Sequence, residues 1–155
     1  MNPVALVLAT GAGSGYAPVA SGTFGSLVGV VLYPLISGFG PWLYPLTTLG
    51  LLSAGVWAAD EFERVHHRKD DGRIVIDEIV GQLLTYFPFV LFDVPASFSW
   101  LVTGFVVFRG FDIWKPGPAR WAEQSFAGGA GVMLDDVVAG LMGASVMSIL
   151  ILVLT

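Results

Sequence analysis

Two pairs of adjacent acidic residues stand inside apolar stretches of the sequence. One pair is Asp77 and Glu78, and the other is Asp135 and Asp136. Carboxylates brought together repel one another unless a cation neutralises them, and a ligand set made of oxygen atoms favours a hard divalent cation. The pairs therefore predict a site in which all four acids are metal ligands, for Mg²⁺ before Ca²⁺. For Asp135 and Asp136 alone, the structural alternative is a favourable position at the positive end of a helix dipole.

A third group combines charges of both signs. A helix through this region places Arg109, Asp112 and Lys115 at intervals of three residues on neighbouring faces, provided that it continues to Pro116. A stripe in this cation, acid, cation order suits an anion held beside a metal. The alternative is a basic and aromatic belt at the depth of lipid headgroups. An enzyme acting on headgroups needs its site at that depth, so the two interpretations are compatible.

The segment 11–26 is rich in glycine and hydroxyl side chains and leads into an apolar run. It lacks the lysine of a Walker loop and follows no clear strand, so nucleotide binding is not expected. A backbone-amide anion site at the start of the next helix and a flexible membrane-surface loop are equally weighted alternatives.

Composition restricts the class of protein. Of 155 residues, 55% are apolar and 12% are charged, whereas a soluble domain needs roughly a quarter of its residues charged. The chain is therefore predicted to be a membrane protein, with one domain over residues 1–155. The absence of cysteine excludes thiolate nucleophiles and disulfides, and the net charge of −5 argues against a nucleic-acid partner.

Charge distribution predicts the topology. All seven basic residues lie within 60–78 or 109–136, and the positive-inside rule places both segments in the cytoplasm. We expect an all-α polytopic bundle with about five membrane-embedded helices and a site at the cytoplasmic face. The middle runs are shorter than the ~20 residues of a crossing helix, so their helices should extend into the charged segments. The apolar runs are 26–39, 42–59, 79–92, 97–108 and 137–154.

Three blocks of this sequence, in order and spacing, resemble the phosphatidylglycerophosphatase A family of bacterial membrane phosphatases. They cover most of the chain between residues 11 and 140. Ser21 and Gly117 depart from the family pattern. These two differences affect the shape of loops rather than the chemistry of the site. The blocks are GSG with SGTFGS in 13–26, DDGRIVIDEIVG in 70–81, and FRGFDIWKP with GGAGVMLDDVVAG in 108–140.

This resemblance implies Mg²⁺-dependent hydrolysis of phosphatidylglycerol phosphate to phosphatidylglycerol and phosphate. It also implies a multi-pass protein of the bacterial inner membrane whose active site faces the cytoplasm. On this reading Asp77, Glu78, Asp135 and Asp136 hold Mg²⁺, and Asp77 and Asp136 also count as catalytic.

The remaining roles concern the phosphate and the leaving group. Arg109 and Lys115 are expected to neutralise the phosphoryl oxygens. Asp112 is a candidate for protonating the leaving glycerol oxygen, and Asp70 for supporting the site from outside it. The amides and hydroxyls around Gly22, Thr23 and Ser26 should assist in binding the phosphate.

The residue types that the chain lacks exclude some phosphatase mechanisms. Without cysteine, and with two adjacent histidines that suit a solvated basic loop, direct attack of water assisted by Mg²⁺ is expected. An aspartyl-phosphate on Asp77 is the weaker alternative.

Two other functions compete with this interpretation. A small transporter or channel would use the paired carboxylates to bind a divalent cation. A CDP-alcohol phosphotransferase is also a small helical membrane enzyme, but its spaced acidic signature is absent here. The sequence leaves the number of Mg²⁺ ions open, as well as the choice between a monomer and a homo-oligomer.

Overall fold

The computed structural model of the chain describes residues 1–69 and 71–155, and these form helices without any strand. The prediction of an all-α fold is confirmed. Asp70, a candidate supporting residue, lies outside the described residues. The helices are α1 (Pro3–Ala9), α2 (Ser21–Ser37), α3 (Gly40–His66), α4 (Ile76–Leu91), α5 (Phe98–Trp114), α6 (Gly117–Ser125) and α7 (Gly128–Leu154), with a 3₁₀ turn at Ser14–Tyr16.

Helices α2, α3, α4, α5 and α7 correspond to the five predicted apolar runs, whereas α1 and α6 were not predicted. Each of these two begins with a local signal that hydropathy alone overlooks. The side chain of Asn2 accepts a hydrogen bond from the Val4 amide at 2.8 Å and caps α1. A proline in the first turn of α6, Pro118, has no amide hydrogen to leave unpaired there.

Length and composition together separate α7 from the other apolar helices, since α3 also has 27 residues. Among the described residues, α7 alone is long and apolar enough to cross a membrane by itself. Helices α2, α4 and α5 have 16 or 17 residues, which is about 25 Å at a rise of 1.5 Å per residue, against ~30 Å of hydrocarbon. Both middle helices extend into the charged segments as expected, α4 by three residues and α5 by six, but they remain shorter than a crossing helix.

Helix α4 lies at the centre of the bundle and packs against α2, α3, α5 and α7. Its closest approach is to α7. A Cβ atom added to Gly140 would lie 2.5 Å from the carbonyl oxygen of Gly81. Gly140 is the residue of α7 that permits this contact. Small residues let two helix backbones approach closely, and here the approach brings the first turn of α4 beside Asp136.

The opposite end of the bundle is held by tyrosines. The Tyr44 hydroxyl donates to the Leu83 carbonyl at 2.8 Å, and the Tyr86 hydroxyl donates to the Leu101 carbonyl at 2.6 Å. Tyr33 packs edge-on against both rings. These contacts connect α2, α3 and α5 to α4, so the helices that carry the candidate site residues are fixed relative to one another.

Candidate active site

Three of the predicted metal ligands form one group, Asp77 and Glu78 from α4 and Asp136 from α7. One carboxylate oxygen from each lies within 4.8 Å of those from the other two. Asp136 is only 3% exposed, and among the described residues Asp77 Oδ1 and Glu78 Oε2 are buried without a hydrogen-bond partner. Buried, unpaired and mutually repelling carboxylate oxygens are costly unless a cation sits between them. The residues therefore fit a divalent-cation site with oxygen ligands.

Helix α2 begins directly against this carboxylate group. A Cβ atom on Gly22 would lie 2.1 Å from Glu78 Oε1 and 3.1 Å from Arg109 Nη1, so no larger residue fits there without a shift. The Ser26 hydroxyl donates to the Gly22 carbonyl at 2.9 Å, and Thr23 lies half-buried in the same first turn. The structure therefore places the predicted glycine and hydroxyl residues beside the carboxylates.

The Arg109 guanidinium lies beside the start of α2. Its Nη1 donates to Ser26 Oγ at 3.4 Å and forms a close ion pair with Asp112. Its Nε is buried and has no partner within the described part of the chain. An arginine held by a carboxylate, with one donor still free, is suited to binding an oxyanion next to the metal ligands.

Lys115 does not continue the stripe formed by Arg109 and Asp112, so that part of the prediction was wrong. Helix α5 ends at Trp114, and Lys115 adopts a left-handed φ of +45°. The physical reason is Pro116, because a residue that precedes proline is disfavoured in the helical conformation.

The ammonium group of Lys115 instead bridges two acids. It donates to Asp135 Oδ2 at 2.6 Å and to Glu123 Oε1 at 3.0 Å. Partial burial by itself would lower the pKa of Lys115, but the hydrogen bonds to Asp135 and Glu123 outweigh burial and raise this pKa above its usual value. Lys115 is therefore a charged group beside the site, at a different position from Arg109.

Asp135 differs from the other three predicted ligands. Its Oδ2 is taken by Lys115, while its Oδ1 is buried without a partner among the described residues. A cavity of about 250 Å³ opens next to it and is lined in part by Glu123, Phe126 and Val132. Asp135 thus lies between the three-carboxylate group and this cavity, and its ion pair holds the Lys115 ammonium nearby.

The loop before α4 is fixed by Asp71. Its carboxylate accepts hydrogen bonds from the backbone amide of Arg73 at 3.0 Å and from the guanidinium at 2.9 and 2.7 Å. Ser21, one of the residues that depart from the family pattern, donates its hydroxyl hydrogen to the Gly72 carbonyl at 2.6 Å. These bonds attach the start of α2 to the loop and thereby set the first turn of α4.

Replacing Asp71 by asparagine should destabilise the fold by roughly 2 kcal/mol at pH 7. The hydrogen bond from Arg73 is the main cause that lowers the pKa of Asp71 from 3.8 to about 2. Because the folded pKa is the lower one, the ionised form stabilises the fold fully above about pH 4, and this contribution is lost as the pH falls through 2. Unfolding measured against pH in detergent should show the difference.

The matched control for this substitution is Asp93→Asn, because Asp93 is an exposed acid of the turn between α4 and α5. Its stability at pH 7 should be close to that of the wild type. If Asp71→Asn has the wild-type stability at pH 7, the ion pair with Arg73 does not hold this loop.

Two polar residues near the site were missed by the sequence analysis. The Asp60 side chain accepts a hydrogen bond from the Gly129 amide at 2.5 Å and fixes the start of α7. Gln82 is completely buried one turn after Glu78, and neither of its amide atoms has a partner in the described part of the chain. A polar residue four positions after an acid on an apolar helix was the available signal for Gln82.

Replacing Gln82 by leucine should stabilise the fold by about 1–2 kcal/mol. The reason is that a buried amide without partners carries a desolvation cost that leucine, of similar size, removes. Thermal unfolding in detergent measures the change.

Thr85→Val is the matched control, because the Thr85 hydroxyl has buried bonds to the carbonyls of Gly81 at 3.0 Å and Gly140 at 3.3 Å. This substitution should destabilise the same helix. A lower unfolding temperature for Gln82→Leu would mean that the amide binds a partner, such as water, in the folded protein.

Comparison with known proteins gives one family. A model of the family described as phosphatidylglycerophosphatase A matches residues 7–151. Phosphatidylglycerophosphatase A of Escherichia coli (strain K12) is 38% identical over 143 residues, covering 91% of this chain and 80% of the relative. The protein with the same name from Haemophilus influenzae is 36% identical over 143 residues, covering 91% and 84%.

A third relative carries a different name. A putative phosphatidylinositol-3-phosphatase of Bacteroides thetaiotaomicron is 38% identical over 144 residues, covering 88% of this chain and 86% of the relative. No solved structure gives a significant match. All three relatives are named as phosphatases of lipids with a phosphorylated headgroup.

Proposed function

The chain belongs to the phosphatidylglycerophosphatase A family and is a phosphatase of phosphate monoesters, and we propose that its substrate is phosphatidylglycerol phosphate and its cofactor Mg²⁺. The observation that carries the proposal is the group of Asp77, Glu78 and Asp136 with Arg109 beside it. Carboxylates that attract a cation, next to a guanidinium that attracts a phosphate, are the two halves of a metal-dependent phosphatase site.

The three carboxylates would hold Mg²⁺. When bound there, the ion supplies positive charge that offsets the negative charge developing on the phosphoryl group. Asp135 lies next to Asp136, and its free Oδ1 leaves it available as a further ligand. Its ion pair with Lys115 places an ammonium where it can attract the phosphorylated headgroup.

Arg109 would bind the equatorial oxygens of the phosphoryl group through its unpaired donor. Ser26 would hold Arg109 in place by accepting from its Nη1, and the Thr23 hydroxyl and backbone amides of the first turn of α2 would supply further donors. Asp112 fixes the Arg109 side chain, so we assign it a positioning role. Its predicted role as the proton donor to the leaving oxygen stays a prediction.

We also propose that the protein is a multi-pass protein of the bacterial inner membrane, with the site facing the cytoplasm. Large apolar side chains are exposed on several helices besides α7, including Val31, Leu46 and Val106. Exposed apolar surface of this kind is stable in contact with lipid. The basic residues, which would face the cytoplasm, are all in the segments around the candidate site.

The transporter alternative is less well supported. A site that conducts a divalent cation gains nothing from Arg109 and Lys115 beside its carboxylates, because both cations repel the cargo. A phosphatase needs such cations to bind a dianion. The family membership points the same way.

Phosphate release from phosphatidylglycerol phosphate by the detergent-purified protein tests the proposal. Release should require Mg²⁺, stop on addition of EDTA and resume with excess Mg²⁺. Phosphatidylinositol 3-phosphate belongs in the same assay because of the Bacteroides relative. Preference for that lipid would overturn the proposed substrate, and Mg²⁺-independent release would overturn the proposed cofactor. If protein that unfolds cooperatively releases no phosphate from either lipid, the transporter becomes the better supported function.

A further inference from the structure

An apolar groove runs between α2 and α5 on the outside of the bundle. Leu27 and Val30 form the α2 wall, and side chains between Phe98 and Val106 form the α5 wall. Every lining side chain is apolar, and the volume of about 460 Å³ lies within the roughly 300–1,000 Å³ of small-molecule pockets. Phe98 is 83% exposed and Val106 is 61% exposed, so the groove presents surface that needs an apolar partner.

One end of the groove meets the candidate active site. On α2, Leu27 follows Ser26 directly, and on α5, Val106 precedes Arg109 by one turn. The contact of 3.4 Å between Arg109 Nη1 and Ser26 Oγ closes this end. From Val106 to Phe98 the groove extends for about 12 Å along α5, away from the carboxylates.

We propose that the α2–α5 groove binds an acyl chain of the phosphatidyl lipid whose phosphorylated headgroup is hydrolysed at the site. The inference rests on the proposed function and adds a binding place for the lipid tail. A single molecule with a phosphate at one end and hydrocarbon at the other matches the order of these surfaces along the protein. The carboxylates and cations come first, Ser26 and Arg109 follow, and the groove beyond them has only apolar side chains.

The groove contributes position more than affinity. A chain that moves from the bilayer into the groove leaves one apolar environment for another, so the free energy gained by burying CH₂ groups from water does not apply. What the groove supplies is van der Waals contact with fixed walls and restricted motion of the tethered headgroup. Blocking it should therefore reduce the efficiency of hydrolysis by a moderate factor rather than abolish it.

Chain length provides the test, because Val102 lies about 10 Å along α5 from Arg109 and meets long chains more than short ones. The test substitution, Val102→Trp, fills the middle of the groove. Phosphate release is compared in mixed micelles for dioleoyl and dihexanoyl phosphatidylglycerol phosphate. The ratio of kcat/KM for the long over the short substrate should fall about tenfold. The matched control is Val31→Trp, since Val31 is exposed on α2 outside the groove, and this variant should keep the wild-type ratio.

Crosslinking gives a second readout that does not depend on hydrolysis. Phosphatidylglycerol phosphate with a photoreactive diazirine near the end of one acyl chain should label wild-type peptides from α2 and α5, and Val102→Trp should lose this labelling. An unchanged substrate ratio together with label distributed over all apolar helices would overturn the groove. Specific labelling of α2 and α5 without phosphate release would instead retain the groove and overturn the proposed function.

Discussion

Replacing Asp136 by asparagine should lower kcat for phosphate release at least about 10³-fold. Asp136 is the one member of the three-carboxylate group that α7 contributes, and it is nearly fully buried. Asparagine has the same shape but removes the negative charge, so the group loses attraction for Mg²⁺ and a neutral amide replaces a ligand that binds hard cations strongly. The measurement is phosphate release at saturating Mg²⁺, with Asp93→Asn as the surface control.

The same substitution should have an opposite effect on stability in the absence of Mg²⁺. Three neighbouring carboxylates repel one another in the metal-free protein, and removing one charge relieves this repulsion. In EDTA, Asp136→Asn should therefore unfold at a higher temperature than the wild type.

Adding Mg²⁺ should reverse the order of stability. A ligand present at 100 times its Kd stabilises a folded protein by about 2.7 kcal/mol, and only the wild type should gain this amount. A variant that is inactive but still gains the full Mg²⁺-dependent stability would place the metal elsewhere. A variant less stable than the wild type in EDTA would show that Asp136 accepts structural hydrogen bonds that asparagine cannot replace.

The carboxylate group was predictable from the sequence because burial of charge is costly wherever it occurs. Asp77, Glu78 and Asp136 stand in apolar runs, and an apolar helix retains such residues only where something compensates them. The close approach of Gly81 and Gly140 was not predictable in this way, because a pattern of small residues does not determine how each helix is rotated about its axis.

The contacts of the cations were less predictable. The bond between Arg109 and Ser26 joins residues 83 positions apart, and the bond between Lys115 and Asp135 depends on α5 ending at Trp114. Helix ends are set by local backbone conformation and by side chains that cross between elements, and neither changes the hydropathy of the sequence. Helix α6 was missed because it is short and polar, so it produces no apolar run in the sequence.

The number of membrane crossings is the remaining structural prediction. The five apolar runs became five helices, but three of these are about 25 Å long and only α7 meets the length and composition expected of a single crossing. Helices shorter than the hydrocarbon core are accommodated by local thinning of the bilayer or by their neighbours. In the proposed multi-pass topology, such thinning would bring lipid headgroups towards the first turns of α2 and α4, where the candidate site lies.

Replacing Arg109 by lysine should lower kcat/KM roughly 10²-fold while the protein remains folded. Lysine keeps the charge but loses the planar set of donors that Arg109 divides between Asp112, Ser26 and the free Nε. An arginine that stabilises phosphoryl transfer is worth about 10³–10⁵ in rate when removed, and a retained point charge recovers part of that. Arg120→Lys, at an exposed position of α6, is the matched control and should behave as wild type.

The division of the Arg109→Lys effect between kcat and KM identifies what Arg109 does. If Arg109 stabilises charge that develops during transfer, kcat falls and the inhibition constant of inorganic phosphate changes little. If it only attracts the lipid, KM rises and kcat is preserved. We expect the fall in kcat, because the unpaired Nε is buried and so shielded from water, and Nη1 of the same guanidinium lies beside Gly22 at the start of α2. An effect confined to KM would assign Arg109 to substrate capture and leave Lys115 as the cation nearest to the chemistry.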